Sequence, residues 1–278
     1  MFKGRHLLIA TKHEKDKVVA PVFEKELGVK CFVCPGIDTD EFGTFTGEVE
    51  RKDAPATTAR RKCLMAIKLT NCDLAIASEG SFGPHPSIYF VPADEELLLF
   101  VDKKNDLEII VRELSTETNF NGLEIKTEKE LQEFASHSNF PSHGLILRKS
   151  KEDFSGIVKG ITNPEELGRI FQSLISRHGM AYVETDMRAM HNPTRMKVIE
   201  KAACKLVDKI KSLCPKCRAP GFGIIGAKQG LPCKICNLPT RSTLSYIYSC
   251  QKCSFTNEEK YPNSKQTEDP IYCDVCNP

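Results

Sequence analysis

Eight of the thirteen cysteines in this 278-residue chain form four Cys-x-x-Cys pairs towards its C-terminus: Cys214/Cys217, Cys233/Cys236, Cys250/Cys253 and Cys273/Cys276. A pair at this spacing turns two thiolate sulfurs onto one tetrahedral ion, and two pairs close a four-sulfur shell with no position left for substrate. The metal expected is zinc, as two structural ions. The segments between the pairs carry Pro, Gly, Asn and Ser in quantity and too few large apolar residues for a core, so this tail is expected to fold only around its metal.

The gaps suggest which pairs share an ion. Fifteen residues separate Cys217 from Cys233, nineteen separate Cys253 from Cys273, and thirteen separate Cys236 from Cys250. The outer two gaps match the ribbon spacing of ~15 to 20 residues and the middle one falls short. The spacing therefore predicts two successive ribbons, Cys214/Cys217/Cys233/Cys236 and Cys250/Cys253/Cys273/Cys276, with a cross-braced pairing as the alternative. Disulfides are disfavoured, since the N-terminus does not resemble a signal peptide and a cytoplasmic location is expected. Cys31, Cys34, Cys63, Cys72 and Cys204 lie in apolar contexts and read as small core residues.

With 40% hydrophobic and 27% charged residues the chain has ordinary two-domain composition, and no apolar run approaches the ~20 residues of a membrane span. The formal charge of +2 says little about partners. Residues 214–241 hold Lys216, Arg218, Lys228, Lys234 and Arg241 with no acid, about +3 once a zinc tetrathiolate is included, whereas residues 242–278 come to about −4. Only the first ribbon is thus expected to touch nucleic acid.

The boundary is expected near Ser212, giving an α/β domain over 1–212 and a double zinc-ribbon domain over 213–278. Residues 5–10 read as a buried strand, 14–27 as a helix closed by Gly28, and 29–34 as a second strand, a parallel pair with a crossover. A Gly- and Asp-rich loop follows, then a helix over 55–69 with Asp53 as cap, and a strand over 73–78 that gives way to a loop, EGSFGPHPS. Strands over 87–92, 96–102 and 107–114 read as a meander. Beyond them come a helix at 127–137, a strand at 144–148, a strand or turn at 155–159, a helix at 164–177 opened by Asn163-Pro164, a strand at 181–185 and a long helix at 193–212. The fold class expected is α/β, a central mixed sheet flanked by helices, followed by the small zinc-ribbon domain.

Ligands of open α/β sheets bind outside the carboxyl ends of the strands. Three segments qualify. Thr11-Lys12-His13-Glu14-Lys15-Asp16-Lys17 joins free backbone N–H groups of a helix start to a cluster of cations, which suits a phosphate chain. Glu48 and Glu50 precede the second helix beside Arg51. Ser78-Glu79-Gly80-Ser81 ends a strand on a carboxylate. Acids from separate loops facing a basic cradle suit Mg²⁺, which binds through one or two carboxylates plus substrate phosphates.

In segment order and motif type, residues 1–212 resemble the inosine triphosphate pyrophosphatase-like superfamily, which hydrolyses aberrant purine nucleoside triphosphates. Ala10-Thr11-Lys12-His13-Glu14-Lys15-Asp16-Lys17 resembles its Thr-x-Asn-x-x-Lys phosphate loop, with the lysine at Lys15 or Lys17. Thr44-Phe45 followed by Glu48 resembles its Thr-Phe-x-Glu-Asn-Ala segment. Ser78-Glu79-Gly80 is similar to its strand-end acid, and His191-Asn192-Pro193-Thr194-Arg195 resembles its Ser-His-Arg-Gly motif. The whole chain also resembles an uncharacterised bacterial family with the same body and zinc tail.

The superfamily resemblance implies that Glu48, Glu50 and Glu79 hold Mg²⁺, that Lys12 and Lys15 or Lys17 neutralise the phosphates, and that Thr11, His13, Ser78, Gly80, Ser81, Arg188 and Arg195 contact substrate. Phe82, Tyr89 or Phe42 would stack a base. The function expected is Mg²⁺-dependent hydrolysis of a nucleotide substrate. The alternatives are a non-catalytic nucleotide- or nucleic-acid-binding module and a zinc-stapled interaction module, and a homodimer is the expected assembly.

Overall fold

The computed structural model describes residues 1–34 and 53–278 of the chain. By their contacts the described residues form two compact units, Met1–Val207 and Asp208–Pro278. The division falls just before the expected Ser212, within the last long helix.

The first unit is built on a five-stranded mixed sheet. Strand β1 (His6–Ala10) leads into helix α1 (Asp16–Leu27), which closes at Gly28 in the left-handed conformation. Strand β2 (Lys30–Phe32) pairs parallel with β1, as the strand–helix–strand opening predicts. Helix α2 (Pro55–Thr70) then carries the chain to β3 (Leu74–Pro84), parallel to β1 on its other side, and β4 (Pro92–Asp102) and β5 (Leu107–Ser115) follow antiparallel. The order β2-β1-β3-β4-β5 makes β1 the point from which the chain goes first to one side and then to the other.

Two covering layers are legible from the period-2 alternation. Leu8, Ala10, Ala75, Ala77, Leu97 and Leu99 pack against Ala59, Cys63, Ala66 and Ile67 of α2. On the opposite face Val19 and Phe23 of α1 are buried, and Phe23 stacks on Phe100 of β4.

A second, four-stranded antiparallel sheet completes this unit: β6 (Gly122–Ile125), β7 (Leu145–Arg148), β8 (Val158–Ile161) and β9 (Ala181–Thr185) in the order β6-β9-β7-β8. Helices α3 (Glu128–His137) and α4 (Pro164–His178) cover one face of it around Leu131, Phe134, Leu167 and Phe171. Asn163 caps α4 through the N–H of Glu166, as its place before Pro164 predicts, and Thr127 with Glu130 forms a capping box on α3. Helix α5 (Pro193–Lys211) follows, and the first unit ends within it at Val207.

Several expectations need correction. The sheet system is two sheets rather than one. The strand expected at 73–78 runs on to Pro84, because every residue from Leu74 to Pro84 has a partner on β4; Glu79, Gly80 and Ser81 are therefore strand residues, not loop. No strand forms at 87–91, where the chain turns between β3 and β4. Asp53 does not cap α2: Ala54 holds that position, and the Asp53 carboxylate pairs with Arg61 instead. Cys63 is buried in the core, but Cys204 is exposed on α5. Among the described residues no helix is long and apolar enough to cross a membrane.

The second unit holds a three-stranded antiparallel sheet, β10 (Gly223–Gln229), β11 (Thr243–Ser249) and β12 (Thr256–Lys260). Its four Cys-x-x-Cys turns share one hydrogen-bond pattern. The N–H groups of Arg218, Asn237, Ser254 and Asn277 return to the carbonyls of Cys214, Cys233, Cys250 and Cys273, and the first three of those donors sit at positive φ.

Candidate functional site

Two regions concentrate chemistry. In the tail, the sulfurs gather as Cys214/Cys217/Cys250/Cys253 and Cys233/Cys236/Cys273/Cys276. This overturns the expected successive ribbons and gives the cross-braced pairing. The cause is the sheet. Antiparallel pairing of Gly223 with Ser249 brings the start of β10, just after Cys217, beside the end of β11, just before Cys250. The second group is joined by a parallel bridge from Cys233 to Glu268. Gap lengths contain neither pairing.

Zinc fits both groups. A tetrahedral ion with Zn–S of about 2.3 Å holds its sulfurs about 3.8 Å apart. The observed separations are 3.7 Å (Cys214–Cys253), 3.6 Å (Cys217–Cys250), 3.9 Å (Cys233–Cys276) and 3.6 Å (Cys236–Cys273). Backbone N–H groups of Cys236 and Ile235 aim at the Cys233 sulfur and hold its pKa down to about 7, favouring the thiolate that binds metal. Each group could hold one zinc ion.

The cross-brace also changes the charge reading. Lys228 and Arg241, assigned to a basic first ribbon, pair with Glu258 and Asp274 of the acidic half at 2.8 and 3.1 Å. With two tetrathiolates, the whole of residues 214–278 comes to about −1.

The second region is the carboxyl edge of β1 and β3. Strand β1 ends at Ala10, opposite Ala77, and β3 continues beyond it. Lys15 starts α1 there. It is buried, and its ammonium donates to Ser78 Oγ at 2.9 Å. Desolvation, and next the nearby Arg195 cation, push its pKa down to about 8 against the pull of Glu96 and Glu79. Of the two candidate lysines, Lys17 is exposed and pairs with Glu14, whereas Lys15 turns inward. Thr11 and His13 shape the turn, the His13 N–H reaching Thr11 Oγ1 at 3.4 Å. Lys12 lies in the same turn.

Successive residues of β3 face opposite sides, so Glu79 points to the α2 layer, away from Ser78 and Lys15. There it meets Lys62 of α2 at 2.6 Å, both side chains buried. Ser81 lies on the Glu79 side by the same alternation. Glu48 and Glu50, with Thr44, Phe45, Phe42 and Arg51, lie outside the described residues.

On the Lys15 side, Gly80 and Phe82 of β3 stand opposite Glu96 and Asp94 of β4. Arg195, from the first turn of α5, is fully buried; its Nε donates to Glu96 Oε1 at 2.6 Å, another guanidinium N–H goes to the Met187 carbonyl, and the guanidinium lies 5.0 Å from the Phe82 ring centre. A Cβ on Gly80 would fall 2.5 Å from Arg195 Nη2 and 2.6 Å from Glu96 Oε1, so glycine is required. Asp94 is fully buried and neither carboxylate oxygen has a hydrogen-bond partner among the described residues. Burial, and then the neighbouring Glu96, push its pKa up to about 7.

Arg188 does not join this group. It clamps the buried Asp186 from Nε and Nη2, and Asp186 also accepts the Gly160 N–H.

Sequence reading thus missed Lys62, Asp94 and Glu96. A signal for the last two exists: in Pro92-Ala93-Asp94-Glu95-Glu96-Leu97-Leu98, the face that carries Leu98 and Phe100 also carries the two acids, and acids on a buried face need a reason.

Fold and sites together define an α/β protein with a cross-braced tetracysteine tail. The chain belongs to the family DUF6671, a domain of unknown function, which matches residues 62–278. No curated protein matches. Among solved structures, protein VC0702 from Vibrio cholerae is 11% identical, with 74% of this chain and 94% of that chain covered at a TM-score of 0.31.

Proposed function

We propose that the chain is a Mg²⁺-dependent hydrolase of nucleoside triphosphates, of the aberrant purine type, acting at the carboxyl edge of β1 and β3. One observation carries this reading: two buried lysines, Lys15 and Lys62, come from opposite faces of the sheet onto the adjacent residues Ser78 and Glu79, at the point where β3 outruns β1. That is the topological position at which α/β sheets bind ligands.

Buried cations are costly unless an anion meets them. Lys15, with its pKa near 8, is charged at neutral pH and would become more firmly so against a phosphate. Lys62 is held by Glu79 until a phosphate competes for it. Glu79 would then be one carboxylate ligand of Mg²⁺, which suits an ion that takes one or two carboxylates and completes its shell with phosphate oxygens and water. When bound, the ion would polarise a phosphoryl oxygen and the attacking water. Ser78 orients Lys15.

The test is release of phosphate and pyrophosphate from a panel of nucleoside triphosphates with Mg²⁺, for the parent, Lys15→Met and Glu79→Gln. Activity on an oxopurine triphosphate, reduced at least about a hundredfold in each variant, supports the reading. Activity indifferent to both substitutions, or none on any triphosphate, removes it. In a nucleotide titration of the parent, affinity is expected to weaken as the pH rises through about 8, where Lys15 loses its charge.

A further inference from the structure

A second site lies on the face of the four-stranded sheet that α3 and α4 leave uncovered. A cavity of about 850 Å³ opens there, within the range of small-molecule sites, and its lining includes Tyr89, Phe90, Phe120, Arg148, Tyr182 and Glu184. Tyr89 and Phe90 belong to the turn between β3 and β4 and are 78% and 89% exposed. Two adjacent aromatics left in water at a cavity mouth gain by covering a flat ring.

The polar groups of the site are built rather than incidental. Arg148 is only 4% exposed, and its guanidinium lies between the rings of Phe154 and Tyr182, 4.7 and 5.1 Å from their centres. Tyr182 is fixed in turn, since its hydroxyl occupies the space that a Cβ at Gly122 would fill. Arg148 Nη2 donates to Glu184 Oε2 at 3.0 Å. Its Nε and Nη1, and Oε1 of Glu184, have no hydrogen-bond partner among the described residues. Neighbouring strands β7 and β9 therefore carry buried, unsatisfied donors beside a buried, unsatisfied acceptor in the cavity wall, and leaving such groups unmade costs more than an ordinary hydrogen bond returns.

We infer that this cavity binds a planar heteroaromatic ring whose edge carries an N–H beside a C=O, the lactam edge of an oxopurine or oxopyrimidine base. The N–H meets Glu184 Oε1, the carbonyl meets Arg148, and the ring is covered by Phe90 beside Tyr89. The inference does not rest on triphosphate hydrolysis, because it needs neither Mg²⁺ nor the Lys15 edge.

Calorimetric titration of the full, zinc-loaded chain with guanosine, 1-methylguanosine, uridine and 3-methyluridine, without Mg²⁺ or phosphate, tests it. At least one of guanosine and uridine should bind, its N-methylated partner should bind at least about tenfold more weakly, and Glu184→Gln should narrow that gap. Phe90→Ala, at an exposed position where folding is not at stake, should also weaken binding several-fold. No binding by either parent nucleoside overturns the proposal, as does equal binding of the methylated and unmethylated forms or indifference to Phe90→Ala.

Discussion

The two units solve the same problem with different materials. Met1–Val207 buries Leu, Ile, Val and Phe in two clusters, and within that apolar frame it also keeps Lys15, Asp94, Glu96 and Arg195 out of water. In Asp208–Pro278 the buried positions include Cys214, Cys233, Cys250 and Cys273, while Ile225 and Ile235 remain 68% and 71% exposed. The first unit has enough apolar burial to hold costly charges in place. The second has sulfur where a core would be, so its fold is its metal chemistry.

The largest effect should follow from breaking that metal chemistry. A structural zinc contributes on the order of 10–16 kcal/mol in small domains, so chelation should remove amide protection throughout 213–278 and leave the core strands of the first unit protected. Paired serine substitutions sharpen the point. Cys217 and Cys253 share a group, so Cys217→Ser with Cys253→Ser should leave one zinc per chain by native mass spectrometry. Cys217→Ser with Cys236→Ser strikes both groups and should leave none. Successive ribbons require the opposite outcome.

A smaller effect tests whether the first unit really depends on close packing around its charges. Gly80→Ala places a methyl group against the buried Arg195–Glu96 pair, neither of which can retreat into water. Overpacking of this kind costs about 1–3 kcal/mol, a fall of roughly 2–12 °C in the first unit's melting temperature, with zinc content unchanged. Gly83→Ala is the control, since no atom of the described residues lies within 4 Å of its added carbon. Equal behaviour of the two variants would mean that the charged pair has slack.

The same contrast explains what could be read from sequence. Local signals were legible: Asn163-Pro164 opening α4, Gly28 closing α1, the alternation through β9, and the Cys-x-x-Cys turns themselves. Features set by distant partners were not. Glu79 to Pro84 reads as loop because it is polar and Gly-rich, yet it is held as strand by β4 and by an arginine brought in from α5. The sulfur pairing depends on which strands of the tail lie side by side, which no gap length encodes. Lys62 reads as one more cation on an ordinary amphipathic helix until the fold sets it against Glu79.

The finest test separates two buried aspartates on one strand. Asp102 receives the fork of Arg5 at 2.7 and 2.8 Å as well as Asn105, and despite desolvation these bonds keep it below the usual carboxylate range. Among the described residues Asp94 has no such partner, and burial, then Glu96, push it up to about 7. Between about pH 4 and 7 the folded chain therefore holds a proton on Asp94 that the unfolded chain releases, so this group favours folding most below pH 4, and that advantage is lost as the pH rises through 7. Asn is neutral throughout. Between pH 5 and pH 8 Asp94→Asn should gain on the parent by about 2 kcal/mol, or roughly 4–8 °C, while the two new N–H donors that also need partners set a cost that is the same at both pH values. Parallel melting curves for parent and variant across that range would mean that Asp94 is ionised and satisfied like Asp102, and the first unit would then be paying far less for its buried charge than its geometry implies.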